Sequence, residues 1–485
     1  MLLLLIIIAF CLLCLLDYHK RQYWIRRGIK QTPSVPFFGH FFPVVAQTLP
    51  GVAVYDKAYH ALNRAPIFGI YEFWRPTLVV LDQKLIENIL IKDFSHFLDH
   101  PRWVFDVRSI VNESLFNMKG NRWRALRYQT IPWFTTARMK SLFPHVLNSI
   151  KIPEGEFEIK KYLRLWTSDT IVAFFGSEIS DKKSFQEMTA RFHDVSHFRY
   201  YKLILVEHFS KYSDALGITF TDNWTDQYFR NFLKSILANK NYTLVQRLQK
   251  LVEDGKVHLR NKDLYKDSDK EEILTYDVTE NTTLNIAAQF IVGGLDTTCN
   301  TITWLLYDLA LNPEAQSIAR QEIRDTLEKH GQWSYEAVQE MKYVANCISE
   351  SMRLHPTLPL VLRSCTSTYK APNGFTIDKG TKIVIPAMTI HMNPEIYPQP
   401  EMFKPERFSD LEKQTNLNWL PFGEGPRKCP GLRFSLMEMR TLIGRLLENH
   451  EIVFTDKTKF PIVADNKRFF SRPLNDIYVE LKRID

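Results

Sequence analysis

Residues 421–431 read Pro421-Phe-Gly-Glu-Gly-Pro-Arg-Lys-Cys-Pro-Gly431, a glycine-rich loop that delivers one cysteine to the predicted start of a helix. Its glycines at 423 and 425 allow a tight turn, and Pro430 suits the first helical position because its missing N–H costs nothing there. The first two amides of the helix would then be free to point toward the sulfur of Cys429. A helix start favours negative charge and lowers the pKa of a thiol, so the loop is predicted to hold an anionic sulfur ligand.

Five positions of this loop resemble the signature of the haem-thiolate monooxygenases, the cytochromes P450: Phe422, Gly425, Arg427, Cys429 and Gly431. A cysteine thiolate is one of the axial ligands that proteins offer to a haem iron. By this resemblance the cofactor is haem b (iron protoporphyrin IX), Cys429 is the axial ligand of its iron, and Phe422 and Arg427 contact the cofactor. The alternative is a buried free cysteine in a glycine loop, which is the usual state of a lone cysteine.

The chain has 485 residues, and neither a flexible linker nor an internal repeat divides it. Apolar spacing predicts helices through most of residues 120–330, and the charged run 254–272 is predicted to be a loop or a helix connection. Short runs at 77–81, 382–386 and 477–481 predict strands. The fold class is therefore mainly α with a small β-sheet region, which agrees with the cytochrome P450 fold, in a single large catalytic domain.

The six cysteines show neither the spacing of a zinc site nor that of a disulfide framework, which indicates a reducing compartment. They stand at positions 11, 14, 299, 347, 365 and 429.

Residues 1–20 are predicted to be a single-pass N-terminal transmembrane anchor. The apolar run Leu2–Leu16 would cover roughly 23 Å as a helix, which suits a thin membrane such as the endoplasmic reticulum. A cleaved signal peptide is the alternative, but no positive charge precedes the run and no small-residue cleavage site follows it. Basic residues at 20–30 place the body in the cytosol by the positive-inside rule. Residues 21–40 are then a basic, proline-containing hinge, and residues 41–485 are the catalytic domain.

A second motif lies in the apolar helical pattern of residues 283–311, which contains Gly293-Gly294-Leu-Asp-Thr-Thr298. Two glycines inside a helix cost roughly 1 kcal/mol each, and Gly293 shares a face with Thr297, which would open a groove beside a hydroxyl. The motif resembles the oxygen-activation motif of the family. By that resemblance Thr297 hydrogen-bonds the oxygen that the haem activates, and Asp296 belongs to the proton relay. Helix packing of the glycines and capping by the Asp-Thr-Thr run are the alternatives.

A third motif pairs Glu350 with Arg353 three residues later on a helical pattern that ends at Pro356. An exposed pair of this kind is worth little. Because Pro405-Glu-Arg407-Phe408 resembles the family segment that supplies a second arginine, we expect Glu350, Arg353 and Arg407 to form a buried structural network behind the cysteine loop.

A buried haem needs donors for its two propionates. Trp123 and Arg127 are four residues apart on a predicted helix, Arg363 lies on an extended run, and Arg427 precedes the cysteine by two residues. All four match family positions that contact the propionates.

The formal net charge of +8 suggests a docking surface, although dispersed surface charge would give the same number. We expect a basic surface at Arg122, Arg124, Lys428 and Arg433 to receive NADPH–cytochrome P450 reductase, a flavoprotein that delivers electrons from NADPH. Cytochrome b5 is a further expected partner, and no nucleic-acid partner is expected.

The function implied by the resemblance is insertion of one atom of O2 into a lipophilic small molecule. The segments Phe97-Leu-Asp-His100 and Phe116–Trp123 resemble those of insect and other arthropod microsomal enzymes that metabolise foreign compounds, while hormone or lipid metabolism is the competing physiology. Two other classes remain open: a haem-thiolate isomerase or dehydratase that works without external O2, and an inactive haem-binding membrane protein. Relatives of the first class typically lack the acid–threonine pair, and the second would carry a damaged motif there.

Apolar and aromatic residues that are predicted to line a substrate pocket lie on four separate segments, although such stripes are more often ordinary core. They are Phe116, Phe290, Gly293, Gly294, Leu360 and Phe469.

Overall fold

The computed structural model describes residues 1–101, 109–193, 197–218, 221–239, 243–260, 273–372, 374–409, 416–465 and 470–484. Within these ranges the chain is mainly helical with four small sheets, as predicted. The predicted fold class is confirmed.

The first nine helices lie within residues 2–208. They are α1 Leu2–Arg21, α2 Phe42–Val45, α3 Gly51–Ala61, α4 Gln83–Glu87, α5 Gly120–Thr130, α6 Thr136–Ser149, α7 Ile159–Phe174, α8 Lys182–His193 and α9 His197–His208. The later helices are α10 Ser210–Ala215, α11 Asn223–Ala238, α12 Thr243–Asp254, α13 Glu280–Leu311, α14 Pro313–His330, α15 Tyr335–Glu340, α16 Lys342–Leu354, α17 Ala387–His391 and α18 Leu432–Leu447.

The strands are β1 Ile67–Glu72, β2 Arg75–Val80, β3 Glu156–Glu158, β4 Lys256–Arg260, β5 Ile273–Asp277, β6 Val361–Ser364, β7 Tyr369–Lys370, β8 Thr376–Ile377, β9 Lys382–Ile385, β10 His450–Phe454 and β11 Tyr478–Arg483. The largest sheet has the order β1-β2-β9-β6. Its β1–β2 hairpin is antiparallel, and β2 then pairs in parallel with β9, Thr77 opposite Lys382. Strand β9 lies between β2 and β6, and Arg363 on β6 is opposite Ile383.

The three predicted strands are present as β2, β9 and β11. The prediction of a loop or helix connection for residues 254–272 is wrong at its first part, because residues 256–260 form β4 and pair with β5. Residues 261–272 lie outside the described ranges. The reason is tertiary: β4 alternates buried and exposed side chains, and Val257 and Leu259 join the main core.

Helix α13 passes through the main hydrophobic core, and most of its 32 residues are buried. Its first turn is fixed by a capping box, in which Thr279 and Thr282 each satisfy the other's backbone amide. Helix α7 packs along one side of it so closely that a Cβ on Gly294 would lie 2.6 Å from Ile171 Cδ1. The glycine at 294 therefore serves helix packing.

Among the described residues, one helical segment, Leu2–Arg27, is long and apolar enough to cross a membrane, with a mean hydropathy of 2.5. The leucine and isoleucine side chains of its first sixteen residues are exposed, as an anchor in lipid would require. The segment after α1 packs against the largest sheet, because Trp24 is 1% exposed and lies where a side chain on Gly69 would have to stand.

Candidate active site

A cavity of about 410 Å³ lies between α13 and the loop before α18. Thr297 and Gly293 line it from α13, and Cys429 lines it from the loop. Trp123, Arg127, Arg363 and Arg427 also contribute to its wall. Residues that are separated by more than 300 positions in the sequence therefore meet around one space.

The turn before the cysteine depends on glycine. Gly423 and Gly425 have φ values of +66° and +76°, a left-handed conformation that other residues adopt at a cost. A Cβ on Gly425 would lie 1.8 Å from the carbonyl oxygen of Leu90, so no side chain fits there. The turn closes with the amide of Cys429 donating to Phe422 O at 2.9 Å.

Helix α18 begins at Leu432 with Gly431 as its N-cap, so the prediction that Pro430 occupies the first helical position is wrong. Pro430 lies in the turn that precedes the helix. The amides of Gly431 and Leu432 nevertheless lie close enough to the sulfur of Cys429 to lower the pKa of its thiol, as expected. The helix start thus lies next to the sulfur, two residues later than the proline suggested.

Burial raises the pKa of the Cys429 thiol, while the two amides and the Arg127 guanidinium lower it without outweighing burial. The predicted net lowering of this pKa is therefore wrong. The exposed surface of the side chain belongs to the wall of the cavity, and protein surrounds the sulfur on its other sides. A sulfur in this position needs a further positive charge, such as a metal ion, to be a stable thiolate.

Opposite the sulfur, α13 remains continuous through both glycines. No atom lies within 4 Å of the Cβ position of Gly293, which borders the cavity. The hydroxyl of Thr297 donates its proton to the carbonyl oxygen of Gly293. The two glycines of the motif therefore differ: Gly293 leaves open space beside a hydroxyl, and Gly294 admits α7.

Asp296 is 4% exposed and also borders the cavity. Burial and the guanidinium groups of Arg472 and Arg164 lower the pKa of Lys160 to about 8, and the negative charge of Asp296 acts in the opposite direction. Asp296 therefore lies in a buried environment that contains several cations.

Three guanidinium groups lie along another part of the wall. Burial, followed by the charge of Arg363, lowers the pKa of Arg427 to about 8, and Arg127 adds to the effect. Burial lowers the pKa of Arg363 to about 10, and its Nε has no hydrogen-bond partner among the described residues. Asp99, whose carboxylate lies 3.8 Å from Arg427 Nη2, offsets only part of this charge.

Arg427 also organises the surrounding backbone. Its guanidinium stacks on the ring of Trp123, 3.8 Å from the centroid, and donates to the carbonyl oxygens of Leu98, Leu115 and Met118. Arg127 donates to Lys428 O at 2.8 Å. These bonds tie α5 and its preceding segment to the cysteine loop.

Glu350, Arg353 and Arg407 form one network behind the loop. Arg353 donates two bonds to Glu350, of 2.7 and 2.8 Å, and Arg407 Nε lies 3.2 Å from the same carboxylate. Glu350 and Arg353 are fully buried. A buried carboxylate with two guanidinium partners and the amide of Lys404 has its acceptors well satisfied.

Comparison with known proteins identifies this arrangement. A model of the family described as Cytochrome P450 matches residues 30–480, nearly the whole chain. The chain belongs to the cytochrome P450 family.

Its similarity to curated P450 proteins extends over nearly their full length. It is 30% identical over 506 positions to cytochrome P450 6j1 of Blattella germanica, covering 99% of this chain and 97% of that protein. It is 29% identical to cytochrome P450 6a2 of Drosophila melanogaster, with 96% of each chain covered. It is also 28% identical to cytochrome P450 9e2 of Blattella germanica, with 94% and 92% covered. The protein is a P450 monooxygenase, an oxidoreductase whose family implies a haem-thiolate cofactor, a redox partner and a lipophilic substrate.

The residues around the cavity fit a P450 haem. A haem carries two carboxylates, and one part of the wall carries the guanidinium groups of Arg127, Arg363 and Arg427. Asp99 offsets part of their charge, and Arg363 Nε has no hydrogen-bond partner among the described residues. Anionic propionates would neutralise that excess of positive charge. A soft sulfur ligand next to the two backbone amides of a helix start suits an iron ion.

Of the predicted pocket residues, Phe116, Phe290, Gly293, Gly294 and Leu360 line the cavity of this P450, and Phe469 lies outside the described residues. Its neighbour Phe470 lines the cavity. Phe290 also packs on Trp133, Phe134 and Phe174, so it belongs to the core as well. The polar lining residues Gln289, Asn300 and Thr301 were not predicted.

His100 is a further residue that the sequence reasoning did not assign to the site. Its ring stacks on Phe116 with centroids 4.4 Å apart, and Nδ1 lies 2.9 Å from Phe116 O. Burial, then the charges of Arg363 and Arg427, lower its pKa well below its ordinary value. Because Phe116 O can only accept, the proton of the neutral ring is on Nδ1 and Nε2 is an acceptor. The only sequence signal for His100 was a short Phe-x-Asp-His run.

Proposed function

We propose that this P450 inserts one atom of O2 into a lipophilic small molecule, with electrons from NADPH delivered by a flavoprotein reductase. The observation that carries the proposal is the single cavity with the Cys429 sulfur on one side and the Thr297 hydroxyl on the other. Haem, when bound, supplies the activation of O2 and its cleavage. The residues of the chain bind it, exclude water and deliver protons.

Cys429 is the proposed ligand of the iron, held by the amides of Gly431 and Leu432. Arg127, Arg363, Arg427 and Trp123 are proposed to hold the propionates, and Phe422 to pack beside the cofactor. The fit rests on charge: buried cations stabilise anionic carboxylates far more than exposed ones do.

Thr297 and Asp296 are proposed to manage protons. A hydroxyl has one proton, and that of Thr297 is donated to Gly293 O, so its oxygen presents lone pairs to the cavity. Thr297 can therefore accept a hydrogen bond from a protonated ligand, or release Gly293 and donate. Asp296 is the nearest carboxylate on the same helix and is the proposed source of the replacement proton.

The replacement Cys429→Ser tests the ligand. We expect purified wild-type protein to give the Soret band of a thiolate-ligated haem in its reduced carbon monoxide complex, and the serine variant to lose that band. Cys347→Ser is the matched control, because Cys347 is buried outside the cavity and should not affect the spectrum. A serine variant that keeps the thiolate band would refute the assignment.

Turnover is tested by NADPH consumption with a reductase and a panel of lipophilic compounds. We expect consumption and oxygenated product, both dependent on O2. Isomerisation of a compound without O2 would instead support a haem-thiolate isomerase. The absence of any turnover in haem-loaded protein would support an inactive haem-binding protein. We propose that the substrates are foreign compounds rather than hormones or endogenous lipids. Foreign compounds in the panel should therefore bind at lower concentrations than the hormones and lipids do.

The reductase is proposed to dock on a basic surface near Lys428 and Arg433, and cytochrome b5 is proposed as a second partner for the same surface. Lys428 is paired with Glu424 at 2.9 Å, and Arg122 with Glu113 at 3.1 Å, so Arg433 is the better charge to reverse. The variant Arg433→Glu should slow haem reduction at low ionic strength, with the difference shrinking as salt is added. An equal rate at low salt would contradict the proposed surface.

We propose a single-pass anchor in the endoplasmic reticulum membrane with the catalytic domain in the cytosol. The support is the exposed apolar face of α1 and the basic residues that follow it. On intact microsomes, added protease should digest the catalytic domain; protection of that domain would place it in the lumen instead.

A further inference from the structure

His391 is the last residue of α17 and is fully buried. Its ring lies next to the segment that leads into the cysteine loop, with Nε2 3.0 Å from the backbone nitrogen of Leu420. Its own carbonyl oxygen accepts a bond of 2.9 Å from Arg353 Nη1. One residue thus contacts both the buried network of Glu350 and the start of the loop.

The protonation of the ring follows from these bonds. A backbone N–H can only donate, so Nε2 of His391 accepts from Leu420 and the ring proton is on Nδ1. Burial, then the charge of Arg353, lowers the pKa of His391 to about 3, which keeps the ring neutral. Nδ1 has no hydrogen-bond partner among the residues that the structure describes. A buried N–H without a partner costs free energy, so the favourable hydrogen bond of the ring is the one that Nε2 accepts from Leu420.

The bond to Leu420 continues to the sulfur ligand. Leu420 O accepts from the amide of Gly423 at 3.0 Å, and Phe422 O accepts from the amide of Cys429 at 2.9 Å. A hydrogen-bonded route therefore runs from Arg353 through His391 and Leu420 to the backbone of the cysteine.

We propose that His391 is a positioning residue for the haem ligand: its neutral ring holds the Leu420 amide and so sets where the loop places the Cys429 sulfur. The inference rests on the proposed role of Cys429. On this proposal the neutral side chain of His391 connects the buried network of Glu350, Arg353 and Arg407 to Leu420, at the start of the loop.

Two other bonds hold the same segment and define the alternative. Trp419 Nε1 donates to Ser349 O at 3.1 Å, and the Tyr397 hydroxyl donates to Asn418 O at 3.0 Å. If these two bonds are enough to fix the position of the segment, the His391 ring only fills space.

The test compares three substitutions in the full-length protein. His391→Phe keeps the size and removes the acceptor. His391→Gln puts an amide oxygen near the position of Nε2, whereas His391→Asn has the acceptor one bond shorter, near the position of Nδ1. His355→Gln is the control, because His355 bonds to Asp308 and stacks on Trp304 away from the loop.

Two readouts are needed: hydrogen exchange of the peptide that contains Leu420, and the Soret band of the reduced carbon monoxide complex. We expect His391→Phe and His391→Asn to exchange that peptide on the order of ten-fold faster and to shift haem from the thiolate to the thiol form. His391→Gln should restore both, and His355→Gln should change neither.

Unchanged exchange and spectrum in His391→Phe would overturn the proposal. If His391→Phe does not fold, equal behaviour of the Gln and Asn variants would overturn it, and rescue by Gln alone would support it. Failure of the Cys429 assignment is distinguishable, because the wild-type protein would then lack the thiolate band whatever stands at position 391.

Discussion

Opposing effects act on single residues at this site. At Cys429, burial disfavours the thiolate while two amides and Arg127 favour it. At Arg427, burial and neighbouring cations disfavour the charge, while Asp99 favours it. The sulfur needs a cation and the arginines need anions, and a haem offers an iron ion to one and propionates to the other. The site is thus complementary to a group with both charges.

The two positive-φ glycines of the loop give the first prediction. Gly425→Ala should abolish haem incorporation, because its Cβ would stand 1.8 Å from Leu90 O, a backbone atom that cannot rotate away. Gly423→Ala has no atom within 4 Å and should cost only the left-handed conformation, roughly 1–2 kcal/mol. Haem content per chain and thermal unfolding measure the difference. Equal losses in both variants would show that conformation, not the contact with Leu90, is what matters.

Glu438 on α18 gives the second prediction. It is 1% exposed, and burial raises its pKa from 4.5 to about 8, although a hydrogen bond with Thr170 acts against the shift. Between these pH values the folded chain keeps a proton that the unfolded chain has released. The contribution of Glu438 to stability is therefore fully present below its pKa in the unfolded chain. It is lost, and the free energy of unfolding falls, as pH rises from about 4.5 to about 8.

Glu438→Gln should remove that slope and stabilise the protein by on the order of 2 kcal/mol at pH 7, since the amide does not titrate. Chemical denaturation at several pH values measures it, and Glu401→Gln, at an exposed site, is the control. A variant whose stability still follows the wild-type pH curve would assign the slope to other groups.

At the scale of elements, α13 carries two functions along one helix. Its side toward α7 requires a glycine at 294 for close approach, and its side toward the cavity has a glycine at 293 that leaves space beside Thr297. The motif is thus both a packing contact and a cavity wall. Helix packing therefore explains Gly294, and open space beside the Thr297 hydroxyl explains Gly293.

The third prediction separates them. Gly294→Ala should destabilise by about 1–3 kcal/mol, because its methyl group overlaps Ile171, and Ile171→Val should relieve part of this loss by removing the atom at 2.6 Å. Gly293→Ala should instead stabilise by about 0.5–1 kcal/mol through helix propensity, while reducing turnover. Thermal unfolding and product formation measure the two effects; strictly additive effects of Gly294→Ala and Ile171→Val would contradict the contact.

At the scale of the whole molecule, the N-terminal segment joins the proposed anchor to residues that pack on the body. Asp17 and Arg21, in the last turns of α1, form a buried pair at 2.6 Å. Arg21 also donates to Ser34, and Trp24 donates to Ile70 O at 3.1 Å from its place against Gly69. The N-terminal run of exposed apolar residues ends at Leu16, directly before Asp17.

Two truncations test this division and the predicted boundaries at residues 20 and 40. Removing residues 2–16 should release the protein from membranes with little effect on its unfolding temperature. Removing residues 2–28 should cost about 3–5 kcal/mol, because Trp24 leaves its site against the sheet, and Trp24→Ala in the full chain should cost a similar amount. Sedimentation with membranes and thermal unfolding are the measurements. Equal stability of the two truncated proteins would show residues 17–28 to be a free linker.

The sequence by itself determined the elements whose signals are local. The helix of residues 283–311, the turn before Cys429, and the spacing of Glu350 to Arg353 all follow from residues within about four positions of one another, and the structure has them where predicted. Resemblance of the motifs then gave the family and the expected cofactor. Local geometry suffices there because helix faces and glycine turns are set by the backbone of the segment itself.

Tertiary structure decided what depends on distant residues. The parallel pairing of β2 with β9, the strand at 256–260, the places of His100 and His391, and the net direction of the Cys429 pKa could not be obtained from any one segment. Burial and electrostatic interaction are sums over all atoms near a group, and those atoms come from remote parts of the chain. A local pattern can name the residue that carries the chemistry, but the free energy of its charge is fixed only when the fold has gathered its neighbours.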